Sequence, residues 1–172
     1  MFDGAPKPAS ALPEAPRSTP RGDARIAAKP AGHILQILGA PLDADLASRV
    51  AGFRVGDAHA LRPAGPGVWY LLGDASLSPG DLAGRQTRLG PLAHIVDQTH
   101  GRERIELSGP GAVRLLATGT AVDLSLGRFP IGAATETLFG HIGVHLTRTG
   151  PERFEVLVGR SYAMSLWEEL TS

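Results

Sequence analysis

Apolar residues occur in short runs from residue 33 onward, separated by glycine, proline and other turn residues. Continuous or alternating apolar runs predict strands, and apolar residues repeated every three or four positions predict helices. The predicted strands cover 33–39, 68–72, 104–107 and 154–158, with a hairpin over 135–146 that bends at Gly140 and His141.

Four helices are predicted, each after a residue that can cap its first turn. The capping residues are Asp43 or Asp45, Ser78 followed by Pro79, Ser108, and Ser161. The inward-facing positions are Leu46, Val50 and Phe53; Leu82, Gln86 and Leu89; Val113, Leu115 and Leu116; and Ala163, Leu166, Trp167 and Leu170. The first three helices are predicted to end near Gly52, Gly90 and Gly119.

The predicted elements recur in the same order in two halves of the chain. The strand and helix that start at Ile34 match those that start at Ile105, and the pair from Val68 matches the pair from Phe154. Recurrence of this kind predicts an α+β fold of two related β-α-β-type halves, at about 33–92 and 93–172, with helices packed on antiparallel sheet.

Residues 1–32 have a different composition from the rest of the chain. They contain six prolines and eight alanines, and their large apolar residues are Met1, Phe2, Leu12 and Ile26. Such a segment buries little apolar surface, which predicts a disordered tail. The alternative is an arm that becomes ordered on a partner subunit, anchored by Phe2 and Leu12.

The charge balance and the absence of cysteine narrow the classes of function. The chain has 17 Lys and Arg residues against 17 Asp and Glu residues, so nothing in its net charge favours binding to nucleic acid or to an acidic membrane surface. Without cysteine there are no disulfides, thiolate metal sites or cysteine nucleophiles. The sequence contains neither an apolar run long enough for a membrane helix nor the apolar core of a signal peptide, and we expect a cytoplasmic protein.

The turn Ser108-Gly109-Pro110-Gly111 joins a predicted strand to a predicted helix, as phosphate-binding loops do. A dinucleotide-binding fingerprint requires Gly or Ala where Arg114 stands, and Pro110 removes one amide donor. We therefore interpret this segment as a structural turn. The P-loop pattern does not occur in the sequence.

Histidines provide two further candidates for chemistry. His141 and His145 have a spacing that suits zinc on a helix, but on a strand they would lie about 13 Å apart, and we interpret them as one solvated strand face. His94, Asp97 and His100 together with Ser108 contain the residue types of a hydrolase triad. The sequence lacks the sharp elbow that exposes such a serine, so a structural or interface role is the better interpretation.

The remaining polar and aromatic residues indicate structural roles. The segment 102–106 mixes charges and is predicted to be a solvated strand edge or a polar interface rim, and Trp69 and Trp167 are predicted core or subunit-contact residues. We therefore predict no catalytic, cofactor-binding or metal-binding residue in this chain. The residues alone indicate a scaffold or subunit rather than a free-standing enzyme.

Several segments resemble a known family. They are the residues Asp-Gln-Thr-His-Gly-Arg at 97–102, Ile-Glu-Leu-Ser-Gly-Pro-Gly-Ala at 105–112, Leu115-Leu116, Gly119, Asp123-Leu124, Phe-Pro-Ile-Gly at 129–132, the strands 135–138 and 154–158, Ser161-Tyr162 and Trp167. In this order and spacing they are similar to the gamma subunit of heterotetrameric sarcosine oxidase. The resemblance covers 90–172 well, 33–89 weakly, and 1–32 not at all.

The resemblance implies a fold like the N-terminal, folate-binding domain of the glycine-cleavage aminomethyltransferases. It also implies a non-catalytic subunit of a heterotetrameric flavoenzyme that oxidatively demethylates sarcosine and transfers the one-carbon unit to tetrahydrofolate. On this basis NAD and tetrahydrofolate belong to a larger alpha subunit, FAD to a beta subunit, FMN to the contact between them, and zinc to a small delta subunit. The related N-methylglutamate dehydrogenase complex shares this architecture.

Two hypotheses of other classes remain. One is a stand-alone folate-binding or one-carbon transfer protein of the aminomethyltransferase type, and the other is a homo-oligomeric scaffold without a flavoenzyme. The three hypotheses predict different results. A subunit of the flavoenzyme should co-purify with larger flavin-binding chains, a stand-alone protein should bind folate by itself, and a scaffold should do neither.

Overall fold

The computed structural model describes residues 10–30, 32–41, 43–53 and 60–172. These residues form ten strands and four α-helices. In chain order they are β1 (Arg17–Ser18), β2 (Arg25–Ala28), β3 (His33–Gly39), α1 (Ala44–Ala51), β4 (Ala60–Gly65), β5 (Val68–Gly73), α2 (Pro79–Leu89), β6 (Ala93–Asp97), β7 (Arg102–Ser108), α3 (Ala112–Ala117), β8 (Ala134–Phe139), β9 (Ile142–Gly150), β10 (Arg153–Gly159) and α4 (Ala163–Thr171).

The strands form two sheets in which all neighbours are antiparallel. The larger sheet has the order β1-β2-β7-β10-β9-β8, and the smaller sheet has the order β4-β5-β3-β6. The predicted hairpin between β8 and β9 turns at Gly140, whose φ of 57° lies in the left-handed region that favours glycine.

The two sheets pack face to face, with a pair of helices on each outer face. The helices α1 and α2 cover the smaller sheet through Leu46, Val50 and Leu89, which pack against Leu35, Ile37 and Leu71. The helices α3 and α4 cover the larger sheet through Leu116, Leu166 and Trp167, which pack against Leu107, Leu146 and Val156. Between the sheets, Ile34, Tyr70 and Leu72 meet Leu157. The architecture is therefore a four-layer α-β-β-α sandwich.

The two halves are related as the sequence pattern predicts. The units β3-α1 and β7-α3 correspond, as do β5-α2 and β10-α4, and β5 pairs with β3 as β10 pairs with β7. The halves differ in the strand that pairs with the other edge of β3 and of β7. The remaining neighbour of β3 is β6, which follows it in the chain, whereas the remaining neighbour of β7 is β2, which precedes it.

The N-terminal segment is part of the domain, so the expectation of a tail or partner arm is wrong for residues 10–30. The strand β2 pairs with β7, and Ile26 opposite Leu107 is fully buried. Leu12 also lies in the core beneath the larger sheet. A few apolar residues are sufficient here because they enter a core that the rest of the chain has built, while strand pairing satisfies the backbone. Phe2 lies outside the described residues.

Two predicted helix caps are confirmed and two are wrong. Asp43 accepts a hydrogen bond from the amide of Leu46, and Ser78 forms a capping box with Asp81. In contrast, α3 has Gly111 at its N-cap, and Ser161 lies within a 3₁₀ turn that leads directly into α4. At these two helices the first amides donate to carbonyl groups of the preceding turn, Ala112 to Gly109 and Ala163 to Arg160.

Candidate functional site

Charged side chains from both sheets meet in the layer between them. Glu155 on β10 accepts hydrogen bonds from Arg62 Nη2 on β4 and from Arg104 Nε on β7, each at 2.7 Å. Arg104 Nη1 also contacts Asp74 Oδ1 at 2.7 Å, and Lys29 Nζ lies 3.5 Å from Asp74 and 3.9 Å from Glu155. We refer to Lys29, Arg62, Asp74, Arg104 and Glu155 as the inter-sheet charge cluster.

Strand register explains why these residues converge. Side chains directly opposite each other on paired strands share one face, and so do residues two apart on a strand. Arg104 lies opposite Leu157, and Glu155 is two residues before Leu157, so both face the smaller sheet. Arg62 lies opposite Tyr70 and therefore faces the larger sheet. The contacts of Glu155 with the two arginines thus join the sheets.

Glu155 remains ionised throughout the physiological range. Burial alone would raise the pKa of its carboxyl, but the Arg62 and Arg104 guanidiniums outweigh this effect and lower the pKa to about 2. A carboxyl with so low a pKa is a poor general base near neutral pH. The cluster therefore suits a structural role between the sheets better than acid–base chemistry.

A cleft of about 430 Å³ opens beside the cluster, between the ends of the two sheets. Its charged lining consists of four cations and three acids, namely Lys29, Arg62, Arg104, Arg153, Asp74, Glu106 and Glu155. Thr149 and Gly73 also line it. The strand patterns in the sequence did not indicate this cleft, because its lining comes from segments that are distant along the chain.

The predicted solvated strand edge over 102–106 is also wrong, because Glu103 and Arg104 are both 3% exposed. They point to opposite faces of β7. Arg104 joins the cluster, while Glu103 binds Ser10 Oγ at 3.0 Å and the Ala11 amide at 2.8 Å. Both faces of β7 are covered by parts of the chain that are distant in sequence. One feature of the sequence could have indicated buried charges here. Glu155 is a single carboxylate inside the otherwise apolar strand 154–158.

The two histidines of β9 and its turn occupy different environments. His141 is exposed in the turn, but His145 is fully buried between the sheets, so the predicted solvated face is wrong for His145. His145 Nε2 lies 2.9 Å from the Pro63 carbonyl oxygen, and its ring meets Tyr70 edge-on at 5.1 Å. Burial lowers the pKa of His145. Within the described ranges, no three His, Asp or Glu side chains are grouped to hold a metal ion.

Ser108 and His100, two of the residues considered for a hydrolase triad, lie at or beyond opposite ends of the same strand. Asp97 accepts a hydrogen bond from the Thr99 amide, at the end of β6. Ser108 is the last residue of β7, a strand that begins only after His100, and seven extended residues span about 20 Å. The serine is therefore too distant to transfer a proton to this histidine.

The turn at 108–111 uses its amides within the protein. The Gly109 amide donates to the Glu152 carbonyl at 3.0 Å, and the Gly111 amide donates to the Asp23 carbonyl at 2.8 Å. Gly109 has a φ of 109°, where a side chain would be strained and would approach the Asp23 backbone. These amides are occupied, which agrees with the interpretation as a structural turn.

The sequence also matches a known protein family. Residues 21–172 match the model of the sarcosine oxidase, gamma subunit family. The match includes β2 and the first half of the domain, where the resemblance seen in the sequence was weak or absent. None of the curated proteins matches the sequence significantly.

Two solved structures share the fold. A chain of the heterotetrameric sarcosine oxidase from Corynebacterium sp. U-96, in complex with pyrrole 2-carboxylate, has a TM-score of 0.76 at 22% identity, over 86% of this chain and 81% of that chain. The glycine cleavage system aminomethyltransferase T from Bartonella henselae has a TM-score of 0.63 at 17% identity, over 90% of this chain but 46% of that chain. This chain thus corresponds to less than half of the aminomethyltransferase.

In the part of the chain that the structure describes, no helix has the length and apolar character needed to cross a bilayer. The fold of two related halves is the one shared with the aminomethyltransferase. The family match spans both halves together with β2, which pairs with β7 of the larger sheet. The chain belongs to the sarcosine oxidase gamma subunit family.

Proposed function

We propose that this chain is a non-catalytic structural subunit of a heterotetrameric flavoenzyme. The enzyme oxidatively demethylates sarcosine or a related N-methyl amino acid and transfers the one-carbon unit to tetrahydrofolate. The observation that carries this proposal is the match of residues 21–172 to the gamma subunit family. The fold shared with a chain of a heterotetrameric sarcosine oxidase supports it.

The surface of the chain suits a subunit. Among the described residues, seven large apolar side chains are exposed, and apolar residues of this kind form the centres of subunit contacts. They are Leu38, Val96, Leu126, Ile131, Leu138, Tyr162 and Met164. Two of them, Tyr162 and Met164, lie together where α4 begins. The proposed partners cover part of this surface.

The chemistry in this proposal belongs to the partner chains. FAD, FMN, NAD and tetrahydrofolate are assigned to the larger alpha and beta subunits, and zinc to the small delta subunit. The occupied amides of the 108–111 turn and the low pKa of Glu155 support a chain that contributes no reacting group. We place the complex in the cytoplasm, because a chain without cysteine has no disulfides and suits a reducing compartment.

Co-expression with the larger subunits tests the proposal. An affinity tag on this chain should retain those subunits together with visible flavin absorbance, and adding sarcosine or N-methylglutamate should reduce the flavin. Oxygen consumption then distinguishes an oxidase from a dehydrogenase that requires another acceptor. A full-length chain that is a monodisperse monomer and ignores the larger subunits would contradict the proposal.

The alternative of a stand-alone folate-binding protein makes a different prediction. Equilibrium dialysis of the purified full chain with tetrahydrofolate, NAD or FAD should show no binding in the micromolar range if the chain is a structural subunit. Tight binding of tetrahydrofolate by the chain alone would favour the alternative.

A further inference from the structure

We propose that the cleft beside the inter-sheet charge cluster binds a small dicarboxylate. This site belongs to the chain itself and goes beyond its proposed role as a subunit. The cleft of about 430 Å³ lies within the range of about 300–1,000 Å³ that is typical of small-molecule sites. Its charged lining has one more cation than acid.

One side chain of the cleft lining, Arg62, carries a hydrogen-bond donor that the described residues leave without a partner. Both carboxylate oxygens of Glu155 are occupied by Arg62 and Arg104, so the charge of this acid is neutralised. The buried Nη1 of Arg62 has no hydrogen-bond partner within the described residues. A buried guanidinium N–H without an acceptor is costly, so an oxygen that reached it would be stabilised.

Lys29 adds a second donor to the cleft lining. Its ammonium nitrogen lies 3.5 Å from Asp74 and 3.9 Å from Glu155, contacts that are longer than good charge-assisted hydrogen bonds. The side chain is 24% exposed, so it can turn toward a ligand in the cleft. One carboxylate of the ligand would be bound by Lys29 and Arg62.

The rim of the cleft offers donors for a second carboxylate. Arg153, at the start of β10, is exposed and lines the cleft, and the exposed residue Thr149 belongs to the same lining. Cationic groups therefore occur at two depths, which favours a ligand with a carboxylate at each end. A ligand with one carboxylate would leave one set of donors unused.

Glu106 is the group in the lining that opposes anion binding. It lies directly opposite Glu155 on the paired strands, and like charges in this arrangement repel. Removing the charge of Glu106 should therefore strengthen anion binding rather than weaken it. This gives the proposal a test with the opposite sign from the loss of a cation.

Calorimetric titration with succinate tests the site, on the full chain and on the complex that it forms. We expect saturable binding of succinate, weaker binding of acetate, and none of the uncharged succinamide. Lys29→Met should weaken binding about tenfold and the more exposed Arg153→Gln about threefold, whereas Glu106→Gln should strengthen it several-fold. Arg128→Gln, an exposed change outside the cleft lining, should have no effect.

The control measurement is the circular dichroism melting curve of each variant, which shows that the variant is folded. The proposal is overturned if succinate does not bind, if succinamide binds as well as succinate, or if binding is unchanged by Lys29→Met and Arg153→Gln. Acetate that binds as tightly as succinate would overturn the assignment of two carboxylate positions. None of these outcomes depends on assembly with the larger subunits, so they leave the proposed function untouched.

Discussion

Glu155 shows how one residue joins distant parts of this protein. Its carboxylate binds guanidiniums from β4 and β7, and it is 3% exposed. A buried ion pair contributes little compared with well-packed apolar residues, but removal of one partner leaves an uncompensated charge and typically costs about 3–5 kcal/mol. The stability of the contact between the sheets should therefore depend on the ionisation of this residue.

Glu155→Gln should destabilise the protein at pH 7, because Arg62 and Arg104 would lose their shared anion. The pKa of Glu155 is about 2 when folded, against 4.5 for an unperturbed glutamate, so its contribution of about 3 kcal/mol is present above pH 4.5 and is lost as the pH falls toward 2. The free energy of unfolding, measured in urea from pH 7 to pH 2.5, should therefore differ between the two proteins by less at low pH.

Glu152→Gln provides the matched control for this measurement. Glu152 is exposed, and its loss should change the free energy of unfolding little at any pH. If Glu155→Gln and Glu152→Gln had the same pH profile, the charge cluster would not hold the sheets together.

At the level of elements, the N-terminal segment contributes as a strand and a core anchor rather than as a mobile tail. Leu12 is 5% exposed in the core beneath the larger sheet, and β2 pairs with β7 along one edge of that strand. Deletion of residues 1–32 would therefore remove part of the domain, and failed assembly of that deletion would not show a partner contact. Point substitutions are the sharper experiment.

Leu12→Ala should lower the free energy of unfolding by about 2–4 kcal/mol, because it leaves a cavity in the core. The exposed neighbour Glu14 serves as control, since Glu14→Ala removes no buried surface. Urea unfolding of the two variants measures the difference. Equal stabilities would mean that the segment before β1 does not pack on the core.

The last helix is the element whose role the sequence predicts most directly. Trp167 is 1% exposed and packs with Leu166 and Leu170, as the helical spacing predicts. Trp167→Ala should cost about 3–5 kcal/mol, a large fraction of the stability of a domain. Glu168→Ala, on the exposed face of the same helix, is the control, and thermal melting of both variants tests the difference.

For the whole molecule, assembly and stability are linked. The chain carries no net charge and exposes several large apolar side chains, which favours association over a soluble monomer. A partner that binds only the folded chain adds about 2.7 kcal/mol when it is present at 100 times its dissociation constant. The proposed complex should therefore be more stable than the chain alone.

This prediction is tested by melting the chain with and without the larger subunits. The melting temperature should rise with the concentration of those subunits and stay constant with an unrelated flavoprotein. A melting temperature that did not depend on the larger subunits would show that the folded chain does not bind them.

Local patterns in the sequence determined the elements of this protein. Apolar spacing placed β3, β5, the β8–β9 hairpin, β10 and α4, and the cap residues Asp43 and Ser78 marked two helix starts. The order of these elements also revealed the two related halves. Each element depends on neighbours within a few residues, so the sequence contains the information directly.

Only the tertiary structure decided which polar residues are buried. Arg104 and His145 lie on strand faces that the sequence predicted to be solvated, but both are buried between the sheets. Glu103, on the opposite face of β7, is covered by the distant residues Ser10 and Ala11. The same packing brought Arg62 to Glu155 across 93 positions of the sequence and opened the cleft beside them. Burial of a strand face depends on which sheet packs against it, and the residues of the strand itself do not specify that partner.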